Sequence, residues 1–431
     1  MNITYDISLL GLCKRSKSGL SRVTEAFAHR IKKEKECNLT FCTSLSFDVW
    51  EDSRQYLESD PYLADTLFIS QSNNRNKRQK IYDLSTKAMS VIHKLGLFQD
   101  RKLPYTLLRL LDYNFSPLDF NDLKSQDIFH SPYHALPEKV KKINNLITFI
   151  TVHDLIPIMY PHFFGLEPNL LKFDKNFNLK EALDSIDEET WVICASHSTK
   201  NDLCNYLKNK IDVNKIFVVY PGASDIFYPC LDMDKISITK KKYGIPDSPY
   251  ILSLSTLEPR KNIEHTIRCF LNLVQQEKIK DLYLVLAGNK GWNYEGIFQL
   301  ITENKDLQER LIIIGYVQDE DLAALYSGAL VFVYPSFYEG FGLPPLEAMQ
   351  CGTPVITSNT SSLPEVVGDA GFMLDPLDQD GLSQSILQIY SDFSLRQVLS
   401  IKSREQAKKF SWSKCIQETI TAYKQSISSR D

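Results

Sequence analysis

No apolar run in the 431 residues reaches the ~20 that a bilayer-spanning helix needs. The best candidate, Leu146 to Tyr160, is broken by His153, Asp154 and Pro157. The nine cysteines include no C-x-x-C pair and no zinc-like spacing, and an odd number cannot all pair. They read as reduced thiols of a cytosolic chain. Met1-Asn2-Ile3-Thr4-Tyr5-Asp6 is not a basic region leading into an apolar stretch, so no signal peptide is expected. A formal net charge of −4 gives no whole-chain attraction to nucleic acid. The G-x-x-x-x-G-K pattern of an ATPase phosphate loop is missing. So is a G-x-G-x-x-G after the first strand, which counts against a dinucleotide oxidoreductase.

What is present is ordinary globular composition, 43% apolar and 24% charged, at a length beyond one comfortable core. Strand-length apolar runs alternate with amphipathic stretches, the pattern of parallel sheets covered by helices on both faces. Strands are expected at Ile3–Leu10, Leu39–Thr43, Ile128–Phe129, Ile147–Val152, Trp191–Ala195 and Ile216–Val219 in the first half. The second half offers Tyr250–Ser255, Tyr283–Ala287, Leu311–Ile314, Leu330–Val333, Val355–Thr357 and Gly371–Leu374. Helices are clearest at Leu20–Lys33, Asn262–Gln276, Asp319–Ser327 and Leu382–Ile389. Two Rossmann-like doubly wound domains facing a cleft would give this order. The boundary falls in the turn-rich stretch from Pro221 to Pro246, dividing residues 1–225 from 226–410.

The most informative segment runs from Phe337 to Val355 and reads as strand, glycine turn, short helix, turn, strand. Pro344 and Pro345 suit a helix start, where the N–H groups lack internal partners, and Gly352 suits a left-handed stop. Prolines donate nothing, so Gly342, Leu343 and Leu346 are the expected free amides. With the positive helix end they make a seat for an anion. Glu339 precedes that seat and Glu347 lies on the helix, eight positions on. Phosphate and hydroxyl groups on one ligand would suit both.

The segment, with Tyr334-Pro335-Ser336 before it and Ser362-Leu363-Pro364-Glu365-Val366 after it, resembles the E-x7-E signature of retaining GT-B glycosyltransferases of family 4. The resemblance is strongest from Tyr250 to Asp375 and weaker at Gly19–Phe27, Phe129–Tyr133, Val152–Pro157 and Ala195–Leu203. It implies a GT-B fold, with the last helix, residues 411–431, crossing back onto the first domain. Trp412, Ile416, Ile420 and Tyr423 at helical spacing support that stripe. It also implies that Arg260 and Lys261 bind the donor diphosphate, where fixed cations would meet the charge of the leaving group. Where many members have glycine and arginine after the strand, this chain has Ser255-Thr256.

By the same resemblance, His153 contacts a hydroxyl of the transferred sugar and its carbonyl faces the anomeric carbon. Glu347 binds the ribose, and Glu339 the sugar ring or positive charge near the anomeric carbon. Gly340, Phe341, Gly342 and Leu343 complete the donor turn. Gly19, in a loop opening a helix, lies over the donor phosphates or the acceptor. Thr256 borders the donor, and the backbone at Tyr316 and Val317 reads the base. Asp154, His130 and Ser196, all at strand ends, are assigned to the cleft or acceptor. Asp154 would either orient His153 or meet the acceptor.

Two acidic runs are set aside as metal sites. Asp232-Met233-Asp234 spells D-x-D but lies in the expected linker, and Asp319-Glu320-Asp321 starts a helix, where acids are favoured anyway. No essential metal or other cofactor is expected. Between Gln71 and Leu110, nine Lys or Arg face only Asp83 and Asp100, with apolar patches among them. That segment reads either as a solvated helical face or as a docking site for anionic lipid headgroups, at the inner face of a membrane, or for a lipid-linked acceptor. The expected activity is retaining transfer of a hexose from a nucleotide diphosphate sugar to a saccharide or lipid-linked acceptor in polysaccharide assembly. UDP-glucose is the first choice of donor and GDP-mannose the second. The competing readings are an inverting enzyme on the same scaffold, with His153-Asp154 as base, and a nucleotide-sugar-binding protein without turnover.

Overall fold

The computed structural model describes residues 1–13, 19–69, 75–94, 115–164 and 179–430. Among these residues, twelve strands form two six-stranded sheets, every pairing within them parallel. The first contains β1 (Asn2–Asp6), β2 (Asn38–Cys42), β3 (Ile128–Ser131), β4 (Ile147–Val152), β5 (Trp191–Cys194) and β6 (Ile216–Val218), in the order β2-β1-β3-β4-β5-β6. The second contains β7 (Tyr250–Leu254), β8 (Tyr283–Ala287), β9 (Leu311–Gly315), β10 (Val331–Tyr334), β11 (Val355–Ser358) and β12 (Phe372–Leu374), in the order β12-β11-β10-β7-β8-β9. Helices cover both faces, so the central strands are buried on both sides and read as unbroken apolar runs. Chain order reverses between β1 and β3, and between β7 and β10. At such points the loops leaving the strands diverge and open a crevice for a ligand.

The helix Trp412–Ser428 starts on Ser411, whose hydroxyl caps the Lys414 N–H. It returns to the first sheet, where Trp412, Ile416, Ile420 and Tyr423 join the core of Ile3, Tyr5 and Phe149.

Two elements depart from the sequence reading. β1 stops at Asp6 and Ser8–Leu12 is helical, because the Asp6 carboxylate takes the Ser8 N–H at 2.8 Å and turns the chain. The expected linker holds a helix, Met233–Lys242. Asp232 caps it by accepting the Lys235 N–H at 3.0 Å, so half of the D-x-D is a helix cap. Only Ile236 and Thr239 are buried on that helix, which is why no apolar period showed.

Candidate active site

The reversal between β7 and β10 brings two sequence-distant loops together. The chain leaving β7 turns through Pro259–Lys261 into Asn262, held in the left-handed region at φ 57°. The Asn262 side-chain amide donates to the carbonyls of Pro335 and Pro376, tying this turn to the β10 loop. Arg260 and Lys261 thereby meet Glu339. Arg260 Nη1 lies 2.8 Å from Glu339 Oε2, and Lys261 Nζ lies 2.7 Å from Oε1. Tyr334 and Ser336 donate their hydroxyls to the same Oε1 at 2.9 and 2.6 Å. Arg260 also reaches Glu258 at 2.7 Å and the Tyr338 carbonyl at 2.6 Å. Lys261 takes a third position, 2.6 Å from the Tyr334 hydroxyl.

All these groups are nearly buried. Burial opposes the charge on Glu339, yet Arg260 and Lys261 pull its pKa down to about 2. Burial, then the neighbouring Arg260, lower that of Lys261. Arg260 is lifted above its ordinary value, Glu339 and Glu258 outweighing burial. Two cations and two carboxylates thus make a neutral, preformed cluster. Within it the buried Arg260 Nε–H has no protein partner.

The glycine turn follows. Gly342, at φ 114°, precedes the helix Leu343–Gln350, and Gly352 at φ 79° ends it. The Leu346 N–H is not free, because it donates to the Gly342 carbonyl at 3.3 Å. The open seat is therefore the first turn alone, at Gly342 and Leu343. Phe341 is buried against Tyr220 and Phe410 and anchors the turn. Glu347, one turn along, accepts the Tyr326 hydroxyl at 2.9 Å. Burial raises its pKa to about 7, against the Tyr326 bond and the nearby Arg22. Arg22, from the first domain, bonds Asp319 of the second at 2.7 Å. Asp321 bonds Lys242 and Tyr243 at 2.6 and 2.8 Å, so this acidic run is committed to cations and a phenol.

Across the cleft, His153 follows β4. Its Nε2–H donates to the Pro132 carbonyl at 3.0 Å, and burial lowers its pKa to about 4, so the ring is neutral. Its carbonyl accepts the Thr199 hydroxyl at 3.1 Å. Ser196 caps its helix by accepting the Thr199 N–H and donates its own hydroxyl to the Gly340 carbonyl at 2.7 Å. Asp154 does not orient His153, since its carboxylate takes the Ile156 N–H at 3.0 Å instead. Burial raises its pKa while Arg260, on the wall of the same cavity, opposes the shift. Asp154, His153, Tyr133, Phe164, Leu20 and Arg260 line a cavity of about 160 Å³.

His130 is a core residue. Tyr423 takes one ring nitrogen at 2.5 Å and Thr151 the other at 2.8 Å, leaving nothing for a ligand. Gly19 begins its helix with nothing within 4 Å of an added Cβ, while Lys17 and Ser18 lie outside the described residues. Thr256 is exposed at the β7 end. Tyr316 is 48% exposed and Val317 buried, beyond a Gly315 whose carbonyl accepts the Gly288 N–H at 2.7 Å.

Several residues here escaped the sequence reading. Glu258, buried beside Arg260, carried a faint signal as the acid before Pro-Arg-Lys. Glu365 stood in the motif after the glycine turn but was given no role: its carboxylate crosses the cleft to the N–H groups of His197 and Ser198, both at 2.8 Å, and to the Tyr220 hydroxyl. Tyr338 similarly reaches Asp202 at 2.6 Å. These bonds tie the two halves together across the cleft.

A profile described as glycosyl transferases group 1 matches residues 235–406. O-antigen chain mannosyltransferase B of Escherichia coli is 37% identical over 297 residues, 69% of this chain and 74% of that protein. The serotype-specific mannosyltransferase WbdA of Escherichia coli is 32% identical over 267 residues, 62% of this chain but only 32% of its own length. A glycosyltransferase structure from Rickettsia africae ESF-5 superposes with a TM-score of 0.63 at 20% identity, covering 99% of this chain and 98% of that one. The two parallel sheets are those of a GT-B enzyme, and the chain belongs to the glycosyl transferases group 1 family, as a glycosyltransferase.

Proposed function

We propose that the enzyme transfers a mannosyl group from GDP-mannose to a saccharide or lipid-linked acceptor in cytoplasmic assembly of a surface polysaccharide. The observation carrying this reading is the buried Arg260–Lys261–Glu339 cluster at the β7/β10 crevice, facing the cavity beside His153. Residues 226–410 would hold the donor, with the diphosphate on Arg260, Lys261 and the first turn at Gly342. The Arg260 Nε–H, which has no protein partner, would donate to one of its oxygens. Residues 1–225 would present the acceptor. The mannosyltransferase relatives favour GDP-mannose over UDP-glucose, reversing the order drawn from sequence. Protein cations meet the leaving charge in this reading, so it requires no metal ion.

Retention of configuration fits the neutral His153, whose depressed basicity makes it a poor proton acceptor at neutral pH. The acceptor oxygen would bond to the anomeric carbon as the bond to the diphosphate breaks, and the departing oxygen would take the acceptor's proton. One observation favours inversion instead: Asp154 lines the cavity and has a raised pKa. NMR of the first product separates the two by its anomer. A thermal-shift panel of nucleotide sugars tests the donor, since ligands bound only by the folded state raise its stability. GDP-mannose is expected to give the largest shift. A larger UDP-glucose shift, with turnover, would restore the alternative.

The Glu347 carboxyl supplies a pH prediction. To accept two ribose hydroxyls it must be ionised, and in the free enzyme its pKa is about 7. Donor affinity should therefore fall as pH drops through 7, by about tenfold between pH 8 and pH 6. A nucleotide sugar is the right titrant, because its diphosphate is ionised throughout. Calorimetric titrations of wild type and Glu347→Gln check this: the wild type should slope and the variant should be flat. A flat wild-type profile removes Glu347 from the ribose.

A further inference from the structure

We propose that the helix Arg75–Lys94 is a docking face for an anionic bilayer surface. Of the basic segment noted in the sequence, residues 71–74 and 95–110 lie outside the described residues, so the helix alone carries the inference. One side of it is spent on the fold. Tyr82 and Ser85 are buried, Tyr82 packs edge-on to Phe47, and its hydroxyl reaches Asp52 at 2.8 Å. The other side carries Lys80, Leu84, Lys87 and Val91, all exposed, Leu84 by 61% and Val91 by 54%. Steps of four, three and four residues keep these four within one narrow stripe of a helix. Leu84 therefore stands in water between two lysines, and Val91 one turn beyond Lys87.

Charge decides what covers such a stripe. The helix carries six Lys or Arg against Asp83 alone, in a chain whose net charge is −4. Protein interfaces are depleted of lysine at their centres, whereas Lys87 here lies between Leu84 and Val91. An anionic bilayer suits both kinds of side chain. Lysine heads remain at the phosphate level while their stems, Leu84 and Val91 enter the headgroup boundary. Position gives the contact a purpose. Phe47 and Asp52 lie in the first half of the helix Phe47–Ser59, which follows the carboxyl end of β2. The basic helix thus packs on the helix that leaves the carboxyl edge of the first sheet, the edge that also bears His153 and on which an acceptor held in a membrane would arrive. The inference rests on this surface rather than on the reaction proposed above.

The test is cosedimentation of the full chain with vesicles of phosphatidylcholine alone, or with about one-third phosphatidylglycerol. Wild type should pellet only with the anionic vesicles, and 1 M salt should release it. Lys80→Glu/Lys87→Glu should lower the partition constant at least tenfold. Leu84→Ser/Val91→Ser should weaken binding to the same vesicles. Donor hydrolysis should be unchanged in both variants, which shows that they fold and separates this surface from the active site. The inference fails if wild type ignores the anionic vesicles, pellets equally with neutral ones, or if charge reversal makes no difference. Concentration-dependent pelleting without vesicles would assign the stripe to a second copy of the chain and also overturn it.

Discussion

Replacing Gly340 by alanine should cut turnover about a hundredfold while leaving donor binding intact. A Cβ built on Gly340 would overlap the His153 carbonyl oxygen and stand 2.8 Å from the Asp154 Cβ. Neither neighbour can yield cheaply, because the first is backbone at the end of β4 and the second is fixed by the bond from Ile156. The Gly340 carbonyl also receives the Ser196 hydroxyl, so the turn is pressed between the two domains. A methyl group there should hold the domains apart by about 1 Å, a displacement that commonly costs two orders of magnitude in rate. The nucleotide half would be undisturbed. Steady-state kinetics beside calorimetric binding of the nucleoside diphosphate should show lower kcat with an unchanged Kd. Full activity in Gly340→Ala would mean that the closed contact plays no part in catalysis.

The central strands were legible because a strand buried on both faces must be apolar throughout, as Tyr283–Ala287 is. The donor motif was legible because prolines and glycines announce a turn and a helix start. Elements that bury a mixed set were harder. The helix Phe47–Ser59 hides Glu51 and Ser53 beside Trp50 and Leu57, with Glu51 neutralised by Arg54, so its inner face does not read as apolar. His130 illustrates the limit of strand-end reasoning. Its position suggested a cleft, but its partner Tyr423 lies 293 residues away on the returning helix. Glu365 is the same case reversed, a polar residue whose partners are fixed only once the domains meet. Local physics reveals elements and turns. Which polar group answers which depends on tertiary placement.

Glu339→Gln is the second large effect, and its sign separates two roles for this residue. If Glu339 holds Arg260 and Lys261 in place, removing its charge leaves two nearly buried cations with Glu258 as the remaining carboxylate of the cluster. Unpairing a buried ion of this kind typically costs 3–5 kcal/mol. The depression of Glu339 from 4.5 to about 2 corresponds to about 3 kcal/mol. Because the folded pKa is the lower one, that stabilisation is complete above pH 4.5 and disappears as pH falls toward 2. Urea unfolding should therefore show a less stable variant at pH 7, with the gap closing across that window. Turnover should fall at least a hundredfold, since the cations then follow the diphosphate without being held in register with the sugar. Lys261→Ala, which leaves Arg260 paired with Glu339, should lose only about tenfold, or 1.4 kcal/mol of barrier. The free nucleoside diphosphate should bind Glu339→Gln no more weakly than wild type, because it supplies the missing negative charge. A variant of normal stability that binds the diphosphate normally but the nucleotide sugar poorly would place Glu339 on the sugar ring instead.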